Sequence, residues 1–253
     1  MLLSPDQISP RQKLILAGLY LSKYDALGLT KLGFHGFTEA FNVLGYALGG
    51  RPGSIKNYRD EFDPIVSKHR KGWHKRPTRQ YCMDVLEEYK DLDFATFTDL
   101  VRSLAGYDDR IWNEAQGARR QTGESQFARR LATGLAAERY FQATHSKIPE
   151  FRSGEIEDTT RLGCGYDFLI KPLRGDGPLA VEVKGLTERT GSLFMTPKEY
   201  SVARAFGKRF YLFVVKDFAR VPFHEIFQDP LSGKLVFKKT ERTLIQTSWS
   251  TSV

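Results

Sequence analysis

Leu179-Ala180-Val181-Glu182-Val183-Lys184-Gly185 is an apolar strand pattern broken by one acidic and one basic residue. Just upstream, Gly165-Tyr166-Asp167-Phe168-Leu169-Ile170 has the same character. Both runs are rich in β-branched and aromatic residues and bounded by Gly or Pro, which marks short buried strands. A hairpin of the two brings Asp167, Glu182 and Lys184 close together. Residues two apart on a strand share a face, so Glu182 and Lys184 point one way and Val181 and Val183 point into the core. Two carboxylates and an ammonium at one sheet edge make a hard-oxygen site for Mg²⁺ beside a cation suited to a phosphate. That set of groups is what a metal-dependent phosphodiesterase needs. A solvated edge strand carrying a salt bridge is the other reading, since most such pairs are structural.

Context separates this triplet from its counterpart Glu88-Tyr89-Lys90, which lies in a helical pattern with no strand around it. Charge inside an apolar strand is costly unless it is paired or metal-bound. After the hairpin, Leu193-Phe194-Met195 reads as a short strand ending at Thr196-Pro197, where a Thr cap and a first-position Pro start a helix over Lys198 to Phe206. Phe210 to Val215 is a continuous apolar run, expected as a central strand covered on both faces. A long helix over Glu124 to Thr144 precedes all of these. The order helix, strand, strand, strand, helix, strand fits a sandwich of helices around a sheet.

The first hundred residues read as helical instead. Helices are expected over Gln12 to Lys23, over Phe37 to Leu48 with a stop at Gly49-Gly50, over Tyr81 to Tyr89 and over Phe94 to Leu104. A further short helix opens at a Ser54 cap and closes before Pro64. Val66 to Gln80 stands out by carrying Lys68, Arg70, Lys71, Lys75, Arg76 and Arg79 around Trp73 with no acidic residue. Basic charge interleaved with an aromatic suits a loop that tracks a phosphate backbone, or else a solvated loop. On the helix before it, Lys56, Asn57 and Arg59 are placed to reach base edges or backbone of DNA. The polar stretch from Gly106 to Gly123 sets the boundary between an N-terminal unit over 1–110 and a C-terminal unit over 121–253.

Bulk properties agree with this outline without specifying it. The chain has 253 residues, 41% hydrophobic and 27% charged, so a packed core is expected. Its net charge of +8 favours a polyanionic partner, and the excess is spread over both halves. Cys82 and Cys164 stand alone, which argues against a disulfide scaffold or a structural zinc site. No long apolar run occurs, and a soluble, cytoplasmic protein is expected.

The order Asp167, then Glu182-Val183-Lys184, resembles the PD-(D/E)XK nuclease superfamily. The closer likeness is to the nuclease-like domain at the C-terminus of the plant NO VEIN protein and of many bacterial restriction-associated proteins. Five blocks carry it: Gly134-Leu135-Ala136-Ala137-Glu138, Gly165-Tyr166-Asp167-Phe168, Val181-Glu182-Val183-Lys184-Gly185, Leu193 to Tyr200, and Tyr211 to Val215. Asp167 follows Tyr166 where the superfamily's name has Pro. The resemblance implies an α/β (α+β) restriction-endonuclease-like domain, with a mixed central sheet flanked by helices. The Ser54 to Trp73 region is similar to the N-terminal helical modules attached to assorted bacterial endonucleases, which together with the basic loop implies an all-α N-terminal DNA-recognition domain. The superfamily resemblance implies that Asp167 and Glu182 hold Mg²⁺, with Glu138 as a further carboxylate binding directly or through water, and that Lys184 assists at the phosphate. Thr196 and Glu199 fall in a similar block, where helix capping and salt bridging also account for them. The implied activity is a Mg²⁺-dependent endonuclease of a restriction or defence system, cutting double-stranded DNA as a homodimer. A non-catalytic DNA-binding protein with the same fold, or a nuclease for RNA or for single-stranded or branched DNA, are the alternatives.

Overall fold

A computed structural model describes residues 7–67, 69–73, 75–106, 123–172, 177–233 and 235–241. The described part of the N-terminal half is helical: α1 (Pro10–Lys31), α2 (Phe37–Ala47), α3 (Pro52–Val66), α4 (Gln80–Tyr89) and α5 (Phe94–Leu104). Ser9 and Gln12 form a capping box at the start of α1, which runs past the expected end at Lys23 and kinks at Asp25, where φ is 46°. The helix over Ser54 starts earlier than expected, because Pro52 is already at a first-turn position and Arg51 precedes it. It also continues through Pro64 rather than stopping before it. Proline in the last turn removes one donor without breaking the element. The carbonyl of Asp60, which Pro64 cannot serve, instead accepts the N–H of Trp73 at 2.8 Å. The basic loop is thereby pinned back onto α3. Gly72 makes this approach possible: its φ is 48°, and a Cβ there would stand 2.1 Å from the Asp60 carbonyl oxygen.

The second half opens with α6 (Glu124–Thr144) and builds a mixed five-stranded sheet in the order β1-β2-β3-β4-β5, with helix α7 (Pro197–Phe206) between β3 and β4. The strands are β1 (Gly154–Asp158), β2 (Phe168–Pro172), β3 (Leu179–Gly185), β4 (Phe210–Lys216) and β5 (Phe223–Gln228). The expected hairpin is present as antiparallel β2 and β3, with Phe168 opposite Val181. Strand β4 joins β3 in parallel through the α7 crossover and is buried almost throughout, as its continuous apolar run requires. Strands β1 and β5 are additional to those expected from the sequence. Conversely, Leu193 to Met195 forms no strand, and Phe194 is 76% exposed. Its three apolar residues lack a neighbouring strand with which to pair.

The two faces of β3 divide its residues as the period of two requires. Val181 and Val183 join the main core beneath α6, whose Phe141 ring lies 4.9 Å from both Phe168 and Phe213. Ala180 faces the other way, into a small cluster with Ala203 of α7 and Phe210. The main core also runs unbroken into the helical half. Helix α2 lies against α6, with Tyr46 and Tyr140 rings 5.2 Å apart. The Asn42 amide donates to the carbonyls of Phe218 and Arg220 at 2.8 and 2.9 Å. Most of the expected boundary stretch, residues 107–122, lies outside the described residues.

Candidate functional site at the edge of the sheet

Asp167 stands just ahead of β2, with its N–H donated to the Val181 carbonyl of β3 at 3.0 Å and its own carbonyl accepting the N–H of Thr159 at 2.9 Å. Its side chain adds a second tie to β3: Oδ2 accepts the N–H of Val183 at 2.7 Å. The carboxylate is thus fixed beside Glu182 and Lys184 by the hairpin itself. Gly165, with φ at 95°, lets this turn pass close to α7, since a Cβ there would meet Val202 at 2.9 Å.

Glu182 is 3% exposed and Lys184 is half-buried beside it, both on the α7 face of β3. The Lys184 ammonium donates to Glu182 Oε1 at 2.5 Å and to Glu199 Oε2 at 2.9 Å. Glu199 is placed by the start of α7, where it closes a capping box with Thr196 and accepts the Thr196 N–H at 3.0 Å. Capping and ion pairing therefore coincide at Glu199. The helix cap is a wall of the site.

Charge is unbalanced here. Among the described residues, Glu138, Asp167, Glu182 and Glu199 share the neighbourhood with one ammonium, and Asp158 and Arg139 act on its flank from outside. Burial pushes Glu138 up to about 7, and the charges of Asp167 and Asp158 add to the rise. Asp167 and Glu182 are raised too, each by burial first; the Asp167 charge acts on Glu182 while Lys184 holds it back. Burial alone would lower Lys184, but Glu182 and Glu199 outweigh it and the net shift is upward. The ammonium therefore stays charged, and the carboxylates are short of a positive partner.

These donors suit Mg²⁺, which takes oxygen ligands, uses one or two carboxylates and retains several waters. Asp167 Oδ1 and Glu182 Oε2 accept no hydrogen bond from a described residue, whereas their partner oxygens are held. No group of three His, Cys, Asp or Glu side chains among the described residues is arranged to hold a metal by itself. The fit is to a two-carboxylate, water-completed ion. It is not to an all-protein cage.

The residues expected to contact DNA divide into two sets. Lys56, Asn57, Lys71, Lys75 and Arg76 are exposed, and the Arg76 guanidinium lies 4.0 Å from the Trp73 ring centroid at an open pocket of about 340 Å³. Arg59, Arg70 and Arg79 are turned inward. Arg70 reaches both oxygens of buried Asp63 at 2.9 Å and Asp25 at 2.5 Å. Arg79 forks onto buried Glu61, and Arg59 pairs with Asp60 at 2.8 Å while covering the Phe37 and Phe41 rings. Lys68 lies outside the described residues. The arginines holding the loop in place were not distinguishable by sequence from the cations left facing water.

His145 and His224 lie away from these groups: His145 meets the Gln142 carbonyl at 2.9 Å, and His224 stacks on Phe213 at 4.7 Å.

Residues 137–227 match the family model for Protein NO VEIN, C-terminal. The matched segment takes in Glu138, the whole hairpin, α7 and the sheet through β5. It supports that domain family for residues 137–227. No curated protein and no solved structure matches the chain. No helix among the described residues is long and apolar enough to cross a membrane.

Proposed function

We propose that the protein is a Mg²⁺-dependent endonuclease that hydrolyses phosphodiester bonds in double-stranded DNA, as part of a restriction or defence system. One observation carries this reading: a cluster of buried carboxylates with raised proton affinities, short of positive charge, beside a lysine that stays ionised. Such clusters concentrate at functional sites, where burial and like-charge neighbours are arranged to shift proton affinity.

Asp167 and Glu182 would hold Mg²⁺, with Glu138 reached through water. Bound there, the ion supplies polarisation of the phosphate and a more acidic water. The chain's own groups do the remaining work. The Val183 N–H fixes the rotation of Asp167. Lys184 has three N–H donors, and Glu182 and Glu199 take two. The third faces the phosphate, where it stabilises charge developing on the non-bridging oxygens. Glu199 and Thr196 keep that ammonium from swinging away. Lys56, Asn57, Lys71, Lys75 and Arg76 contact the duplex, while Arg59, Arg70 and Arg79 shape the surface carrying them. Two copies, one per strand, complete a double-strand cut.

A second reading, a non-catalytic DNA-binding protein, draws on the closure of Lys184 over its own carboxylates and the absence of a three-ligand metal group among the described residues. Plasmid cleavage with Mg²⁺ separates the two. The wild type is expected to cut, and Asp167→Ala and Lys184→Ala to lose about 10³-fold in rate. Equal cutting by all three overturns the site assignment. DNA retention without cutting selects the second reading, and RNA and single-stranded DNA run in parallel fix the substrate class.

A further inference from the structure

The parallel register places Lys184 opposite Val214 and Gly185 opposite Val215, so the chain leaves β3 and β4 at the same edge of the sheet. Beyond that edge the two loops remain joined. Leu186 N donates to Val215 O at 2.8 Å, Ala219 N to Thr187 O at 2.9 Å, and Asp217 N to Glu188 O at 3.2 Å. The Asn42 bonds to Phe218 and Arg220 brace the same turn from the helical half.

Asp217 lies at the centre of this junction with φ at 63° and its side chain only 8% exposed, and its Oδ1 finds no hydrogen-bond partner. Two arginines lean towards it, one from each loop. Arg189 Nε stands 4.0 Å from Oδ2 and Arg220 Nε 3.8 Å from Oδ1, and both side chains are 67% exposed. The Arg189 guanidinium also lies 5.5 Å from the Phe223 ring centroid. Arg70 shows what a guanidinium does when a buried carboxylate is its final partner: it forks onto Asp63 with both bonds at 2.9 Å. Arg189 and Arg220 stand off instead, drawn together by charge with their donor edges in solvent.

We infer that Arg189 and Arg220 form a phosphate clamp, a second anchoring site for a nucleic-acid backbone next to the sheet-edge carboxylates. Arg189 lies five residues beyond Lys184 in the chain, which bounds their separation along the backbone at roughly 17 Å. Buried Asp217 offsets the mutual repulsion of the two cations and aims both outward; exposed Glu188 lies beside them without reaching either. The ligand is a phosphodiester chain, an identity that rests on the nuclease reading above. The clamp itself rests on the arrangement around Asp217.

The test uses the full chain in EDTA, with a fluorescent 20-base-pair duplex titrated at several salt concentrations. Arg189→Ala/Arg220→Ala is expected to lower the slope of log affinity against log salt by about 2, because each phosphate contact contributes roughly 0.9. Affinity near 0.1 M salt should fall about tenfold or more. Arg189→Gln/Arg220→Gln, which retains the stems, should behave alike, and a charge-matched control, Arg204→Ala/Lys208→Ala, should keep the wild-type slope. A wild-type slope in both clamp variants, or an equal loss in the control, overturns the clamp alone. Failure of the wild type to bind duplex, single-stranded DNA or RNA overturns the clamp and the nuclease reading together.

Discussion

Buried carboxylates occur in two parts of this molecule, and burial ends in opposite results. On α3, Glu61 is buried and burial alone would raise it, but the hydrogen bonds and charge of Arg79 hold it below the usual carboxylate range. Asp63, equally buried, is forked by Arg70. At the sheet edge, Glu138, Asp167 and Glu182 are all raised, because one lysine cannot serve them all. The first region matches each acid with its own arginine and is built to hold a loop. The second leaves negative charge in excess. Burial is common to both; the difference lies in the supply of cations.

Breaking a matched pair should have the largest effect on stability. Arg70→Ala leaves Asp63 buried and unpartnered, and urea denaturation should show a loss of about 3 kcal/mol. A loss below 1 kcal/mol would mean that the α3 pairs are not what fixes the basic loop. At the sheet edge the sign reverses, because added positive charge should stabilise. With Ca²⁺ at about 100 times its dissociation constant, the wild type at pH 8 should gain roughly 2.7 kcal/mol, read as a rise in Tm, and Asp167→Asn/Glu182→Gln should gain little.

Removing acid should stabilise in the same way. The folded-state affinity of Glu138 for its proton is raised to about 7 from an ordinary value of 4.5. Its contribution to stability is complete below pH 4.5 and is lost as pH rises through 7. In EDTA, Glu138→Gln should therefore stabilise the fold at pH 8 by an amount on the order of 1–2 kcal/mol, read as a rise in Tm, and change little at pH 4.5. A Tm unchanged at pH 8 would remove the charge excess from the argument. The smallest stability effect belongs to the exposed cations. Lys71→Ala/Lys75→Ala should stay within about 0.5 kcal/mol of wild type while weakening duplex binding at low salt.

The sheet-edge site was more legible in sequence than the helical surface, for a local reason. Asp167, Glu182 and Lys184 belong to one hairpin, so strand periodicity and a short connection suffice to bring them together. The helix start at Thr196 was equally plain from its cap and Pro197. The partners of Arg70 and Arg79 were not, because Asp63 and Glu61 are acidic residues in a helix pattern that does not announce their burial. Strand β1, Gly-Glu-Ile-Glu-Asp, has one strongly apolar residue and is defined by its pairing with β2 rather than by its composition. Leu193 to Met195 satisfies a strand pattern with three apolar residues in a row, although no neighbouring strand pairs with them. Pattern records what a segment prefers, and pairing decides what it becomes.

The amide of Asn42, gripping two carbonyls beyond β4, ties the helical layer to the turn beside the sheet-edge groups. Among the described residues, a continuous core beneath it joins the surface bearing Trp73 to the rim bearing Lys184. On the function proposed above, a duplex seated on both would meet them at one fixed spacing, set by the protein's own dimensions. Position along the strand would then be measured as a rigid ruler measures it, without a reach that varies from one encounter to the next.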